Sequence, residues 1–178
     1  MRSNRERGFT LIELLVVVAL LGVLMAIAAP ALLRARQSGN EASAISSLRA
    51  ISSAQYMYGS TCASGYFAPS LVALGTPPPN GSAFIGPDLA GAAVVVKSGY
   101  TVTIGSSKGL AAASPASCNG VAAGASLEGF YATATASPGT GSRAFGVNTI
   151  GTIYYAEQMA PMAITDTTTP AGARPIPQ

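Results

Sequence analysis

The sequence predicts an α+β chain: one long, bent N-terminal α-helix over about residues 9–58, packed on a small antiparallel β-sheet of three or four strands. Three observations predict it. First, the 25 residues from Phe9 to Leu33 carry a single charge, Glu13. Second, apolar residues keep recurring at three- and four-residue spacings beyond that run, as far as Tyr58. Third, after a connection rich in Gly, Pro, Ser and Ala, three late stretches carry β-rich composition or alternation.

Taken in order, residues 1–8, "MRSNRERG", are short, polar and basic, and read as a leader ending in glycine. The run 9–33 makes a helix of about 37 Å at 1.5 Å per residue, long enough to span a bilayer core. Arg2, Arg5 and Arg7 place the N-terminus in the cytoplasm, because basic flanks stay inside. In residues 34–58, Ile45, Leu48, Ile51 and Tyr58 alternate with Ser46, Arg49, Ser53 and Gln55, so this half is amphipathic and wet on one side. Gly22, Pro30 and Gly39 interrupt the pattern; Pro30 lacks an N–H and clashes with the preceding turn, so a kink is expected near it. A globular region follows over 59–157. It opens with a short helix at Pro69–Leu74, stopped by Gly75 and a proline run. Strands are expected at 99–104, 127–136 and 143–157, the last folded as a hairpin about Asn148–Gly151. The Thr/Pro-rich tail 158–178 has little to bury and is expected to be loose.

Composition narrows the function. Arg2, Arg5 and Arg7, offset by Glu6, account for two of the three net positive charges, and the other cations are scattered, so no nucleic-acid partner is indicated. There is no histidine, and the carboxylates are not clustered. Neither a zinc spacing, a catalytic triad nor an acid/base pair is present, and the chain reads as no enzyme with no cofactor. Cys62 and Cys118 have 55 residues between them. In an extracytoplasmic chain a disulfide is their favoured use, and closing so long a loop contributes about 3–5 kcal/mol. Two unpaired buried thiols remain the alternative.

The basic leader, Gly8, Phe9, Thr10, Leu11, Ile12, Glu13 and the apolar helix behind them closely resemble the N-terminus of type IV prepilins and the related type II secretion pseudopilins. Pro30 also falls where members of that family commonly carry a helix-breaking proline. The resemblance implies a pilin-like fold, cleavage by a prepilin peptidase between Gly8 and Phe9, and N-methylation of Phe9 by the same processing machinery. It also explains the charge. An ionised carboxylate in hydrocarbon costs on the order of 2–4 kcal/mol unless something pairs with it. Cleavage creates a positive amine on Phe9, and in the family's filament model that amine pairs with the glutamate of its own or a neighbouring subunit. Glu13 would thus select axial register as well as bind. Thr10, Gly22 and Pro30 belong to the same implied assembly segment; small residues such as Gly22 allow close helix packing, and the stretch from Gly22 to Pro30 is where unwinding in a filament is expected.

The implied partners are copies of the chain, a prepilin peptidase/methyltransferase, an inner-membrane assembly platform and its ATPase. The implied location is the inner membrane, single-pass through residues 9–33, then a surface pilus or a periplasmic filament. A type II secretion pseudopilin is the nearest alternative. Major pseudopilins often bind calcium in an aspartate-rich C-terminal loop, whereas Glu128, Glu157 and Asp166 are widely spaced and make a poor oxygen cage, which weakens the calcium expectation and favours a pilus subunit. A plain membrane anchor explains neither Glu13 nor the Gly8–Phe9 junction. A secreted binding protein cut by signal peptidase near "AIAAPA" would leave Glu13 interrupting its apolar region and the helical pattern running through the cut.

Overall fold

The computed structural model describes residues 8–158 and 160–176. It divides into two compact units, Met1–Arg36 and Gln37–Gln178, and helix α1 (Leu11–Thr61) contributes residues to both. The helix begins two residues later and ends three later than the sequence pattern places it. The helix runs unbroken through Gly22, Pro30 and Gly39.

In the second unit the order is the rest of α1, α2 (Leu71–Gly75), α3 (Pro87–Ala90), β1 (Val94–Lys97), β2 (Tyr100–Gly105), β3 (Tyr131–Ala136), β4 (Ala144–Asn148), β5 (Ile153–Ala156) and β6 (Arg174–Pro175). The six strands form one antiparallel meander in which every strand pairs with its sequence neighbours. The expected three or four strands are therefore corrected to six. The additional ones are β1, joined to β2 by a two-residue turn, and the two-residue β6. Ser98 and Gly99 both have positive φ, the geometry whose twist matches that of a hairpin.

Strand alternation divides the side chains between two faces. Tyr100, Val102, Ala132, Ala134, Ala136, Phe145, Val147 and Ile153 point towards α1 and share a core with Ala44, Leu48, Ile51, Ala54 and Tyr58. The alanines of β3 leave room for the helix and its larger side chains. On the other face Tyr154 and Ala156 pack with Met162 and Ile164, contributed by the tail. The tail is consequently not loose as its composition suggests. It covers the outer face of the sheet, and all five residues of β4 are buried as a result.

Buried polar groups hold the connections. Gln55, expected on the wet side of the helix, is fully buried: its side chain accepts from the Ala68 N–H at 2.8 Å and donates to the Ala68 carbonyl at 3.0 Å. Ser70 caps α2 through its hydroxyl, and Asn119 closes the other end by donating to the carbonyls of Ala73 and Thr76. Cys62 and Cys118 are joined by a disulfide with their Cα atoms 4.8 Å apart, linking the end of α1 to the loop that carries Asn119. Asp166 anchors the tail. It is fully buried and accepts from the Ser106 hydroxyl at 2.8 Å and from the backbone N–H groups of Ser107 and Lys108 at 2.9 and 3.3 Å.

Candidate functional site

The first unit carries the segment singled out by the sequence. Gly8, Phe9 and Thr10 precede the helix in non-helical backbone, and all three are exposed. Thr10 is the N-cap: its hydroxyl accepts from the Glu13 N–H at 3.3 Å, and its carbonyl accepts from the Leu14 N–H at 3.3 Å. Glu13 is thereby the third residue of the first turn, giving a Thr-x-x-Glu start. A carboxylate there faces the positive end of the helix dipole. The local fold thus supplies a modest reason for a glutamate at this position. It supplies no partner among the described residues, and the Glu13 carboxylate makes no ion pair there.

Glycine at position 8 has no local explanation. A Cβ built on Gly8 meets nothing within 4 Å, and the backbone is not in the left-handed region. Its small size has to be read by another molecule if it is read at all. The same holds for Gly22, where a Cβ also meets nothing within 4 Å although glycine in a helix interior costs about 1 kcal/mol relative to alanine. Pro30 lies inside the helix.

The surface of this segment is apolar all round. Phe9 is 74% exposed and Leu11 82%, and Ile12, Leu14, Leu15, Val18, Leu20, Leu21, Val23, Leu24, Met25, Ile27, Leu32 and Leu33 are also exposed. The helix that contains them is long and apolar enough to cross a membrane. A continuous apolar surface of this length is not stable against water and requires lipid or other apolar helices around it.

The second unit holds an ion pair that sequence reading missed. Glu41, only 5% exposed, accepts from the Ser142 N–H and hydroxyl, both at 3.1 Å, and from Arg143 Nε at 2.9 Å and Nη2. The guanidinium lies over the rings of Phe145 and Tyr155, 5.7 and 5.4 Å from their centroids. Burial pushes the Glu41 carboxyl up, but the bonds from Arg143 and Ser142 and the arginine charge outweigh it and hold the group below its usual value. The sequence signal was weak, since a helical glutamate and a strand-flanking arginine are 102 residues apart. Among the described residues no cluster of three or more His, Cys, Asp or Glu side chains is placed to hold a metal ion. Both oxygens of Asp166 already accept hydrogen bonds, Oδ2 from the Ser106 hydroxyl and the Lys108 N–H and Oδ1 from the Ser107 N–H.

Comparison with known proteins agrees with the first unit. The family model described as "Prokaryotic N-terminal methylation motif" matches residues 3–29. The chain is 43% identical over 53 residues to the type IV major pilin protein PilA of Myxococcus xanthus strain DK1622, a match covering 30% of this chain and 24% of that protein. The match therefore spans about a quarter of the relative's length. No solved structure matches the chain. An exposed Gly8–Phe9 junction, a capped helix start bearing Glu13 and an apolar surface that needs other helices or lipid thus coincide with the match to the methylation motif, on an α+β, pilin-like fold, and part of the chain is similar to a type IV major pilin.

Proposed function

We propose that the chain is made as a prepilin, cut between Gly8 and Phe9, N-methylated on Phe9 and assembled through its apolar helix as a structural subunit of a type IV pilus-like filament. The observation that carries this reading is the helix surface from Leu11 to Leu33, exposed on every side and headed by one carboxylate. Lipid accommodates such a surface before assembly, and identical helices accommodate it afterwards. Glu13 then finds its counter-charge in the amine that cleavage leaves on Phe9. An uncut subunit lacks that amine and keeps three arginines where helices must pack, so processing licenses assembly.

In this reading the peptidase/methyltransferase acts at the cytoplasmic face, and the platform and ATPase of the inner membrane lift subunits into the filament. Residues 9–33 are first anchor and then filament core, and the second unit forms the exposed surface. The N-terminal residue and intact mass of the protein from its native envelope test the proposal. A methylated Phe9 start is expected; a start near Ala29 or Ala31 overturns it, because the proposed filament core would have been discarded. Imaging then separates long surface fibres, expected of a pilus, from a short envelope-confined pseudopilin filament.

A further inference from the structure

A groove of about 460 Å³ lies in the second unit between the α1 face at Arg49, Ser52 and Ser53 and the sheet end at Gly151, Ile153 and Ile176. Ser52 and Ile153 are almost fully buried in its walls, whereas Arg49 is exposed. Among the described residues the two ion pairs are Lys97–Asp88 and Arg143–Glu41, and Arg49 is the one charged side chain among the described residues that line the groove. Two hydroxyls beside one cation, with two isoleucines behind, suit a carboxylate on a short aliphatic stem.

We infer that this groove receives the Glu157 side chain of a second copy of the chain, stacked along the α1 axis. This rests on the filament reading above. The argument is one of charge and level. Glu157 is exposed and has no ion-pair partner among the described residues. Ala156 faces Ala144 across the β4–β5 ladder, which sets Glu157 beside Arg143, and Arg143 is bonded to Glu41. Glu157 therefore lies near the level of Glu41 on α1. Arg49 is eight residues further along the helix, an axial rise of about 12 Å. Within one chain the two charges are at different levels. A copy displaced by about that rise brings its Glu157 to the level of the groove of the copy below. The two patches are different surfaces of the chain, so the contact is heterologous and repeats without closing, as a filament requires.

Charge reversal in the full chain, expressed with its native assembly machinery, tests the contact. Arg49→Glu and Glu157→Arg should each lower the sheared-filament yield by about tenfold, because each places like charges together. The double variant should return to within about twofold of the wild type, since the pair is restored with its signs exchanged. A second measurement does not depend on reversed charges. In filaments of the Arg49→Lys variant, a zero-length carbodiimide should give a ladder of cross-linked subunits in which peptides containing positions 49 and 157 are joined. Single reversals that assemble at the wild-type yield, a double variant no better than the singles, or the absence of that ladder in filaments overturns the contact while leaving the filament intact. A wild-type chain that forms no filament at all overturns the filament reading, and the contact with it.

Discussion

Replacing Arg143 with methionine strands the Glu41 carboxylate, and the structure allows the consequence to be worked out. Removing one partner of a fully buried ion pair typically costs about 3–5 kcal/mol. Here the Arg143 side chain is 41% exposed, and Glu41 keeps its two bonds from Ser142. Methionine also preserves apolar contact with Phe145 and Tyr155 while losing the cation–ring attraction. We therefore expect Arg143→Met to cost about 2–3 kcal/mol at neutral pH, below the fully buried range. The cost diminishes with acid. In the native chain the Glu41 carboxyl is held below its ordinary value of 4.5, so the pair contributes stability that is present above that value and lost as pH falls through the lowered one. Without the guanidinium, only the two Ser142 bonds oppose burial, so the carboxyl rises relative to the native chain. The variant's deficit should then shrink as pH falls from 7 towards 4, because protonation relieves the stranded charge. Glu41→Gln combined with Arg143→Met should cost less than Arg143→Met alone. The assay is urea unfolding of the full, disulfide-bonded chain in detergent micelles, followed by near-ultraviolet circular dichroism at pH 7 and pH 4. A deficit that is unchanged by pH, or a double variant as unstable as the single one, refutes the assignment of the cost to a stranded carboxylate.

Other outcomes follow from the same structure. Gln55→Ala leaves the buried Ala68 N–H and carbonyl unpaired and should cost about 2–4 kcal/mol, measured by the same unfolding experiment; a cost below about 1 kcal/mol would mean that water restores both bonds. Replacing Cys62 and Cys118 with alanine should destabilise the second unit by about 4 kcal/mol in the chain-entropy model, with hydrogen exchange rising first around α2, whose end Asn119 holds. Burial, with the nearby Glu41 charge, pushes the Tyr100 hydroxyl up to about 12 from 10.0. Its contribution is therefore complete below pH 10 and lost as pH rises through about 12, and Tyr100→Phe should remove that alkaline step in unfolding monitored at 295 nm. Thr10→Ala removes the N-cap hydroxyl and should fray the start of α1, seen as faster amide exchange at Glu13, by about 1 kcal/mol.

The first unit is nearly one-dimensional, which is why it was legible. A 25-residue apolar run, a lone Glu13 and the Gly8–Phe9 junction act through their sequence neighbours, or through a medium outside the fold. None needs a distant part of the chain to give it meaning. The β4–β5 hairpin was legible for a related reason, since its turn glycine and its flanking aromatic and β-branched residues are adjacent. The β1–β2 hairpin carried a comparable signal in Ser98-Gly99, but its first strand is only four residues long and two of its valines remain exposed.

What the sequence determined by itself is thus the membrane-length helix, the methylation motif at its head, the amphipathic continuation and an antiparallel sheet. Tertiary structure decided which polar residues are inside and what the tail does. Gln55 reads as a surface residue until Ala68 presents both a donor and an acceptor to it. Glu41 becomes buried only because Arg143 and Ser142 arrive from about a hundred residues away. The tail looks too polar to pack until Asp166 meets the amides of the 106–108 loop and Met162 and Ile164 find the outer face of the sheet. In each case the energy of a side chain depends on partners supplied by long-range pairing, which periodicity and composition do not encode.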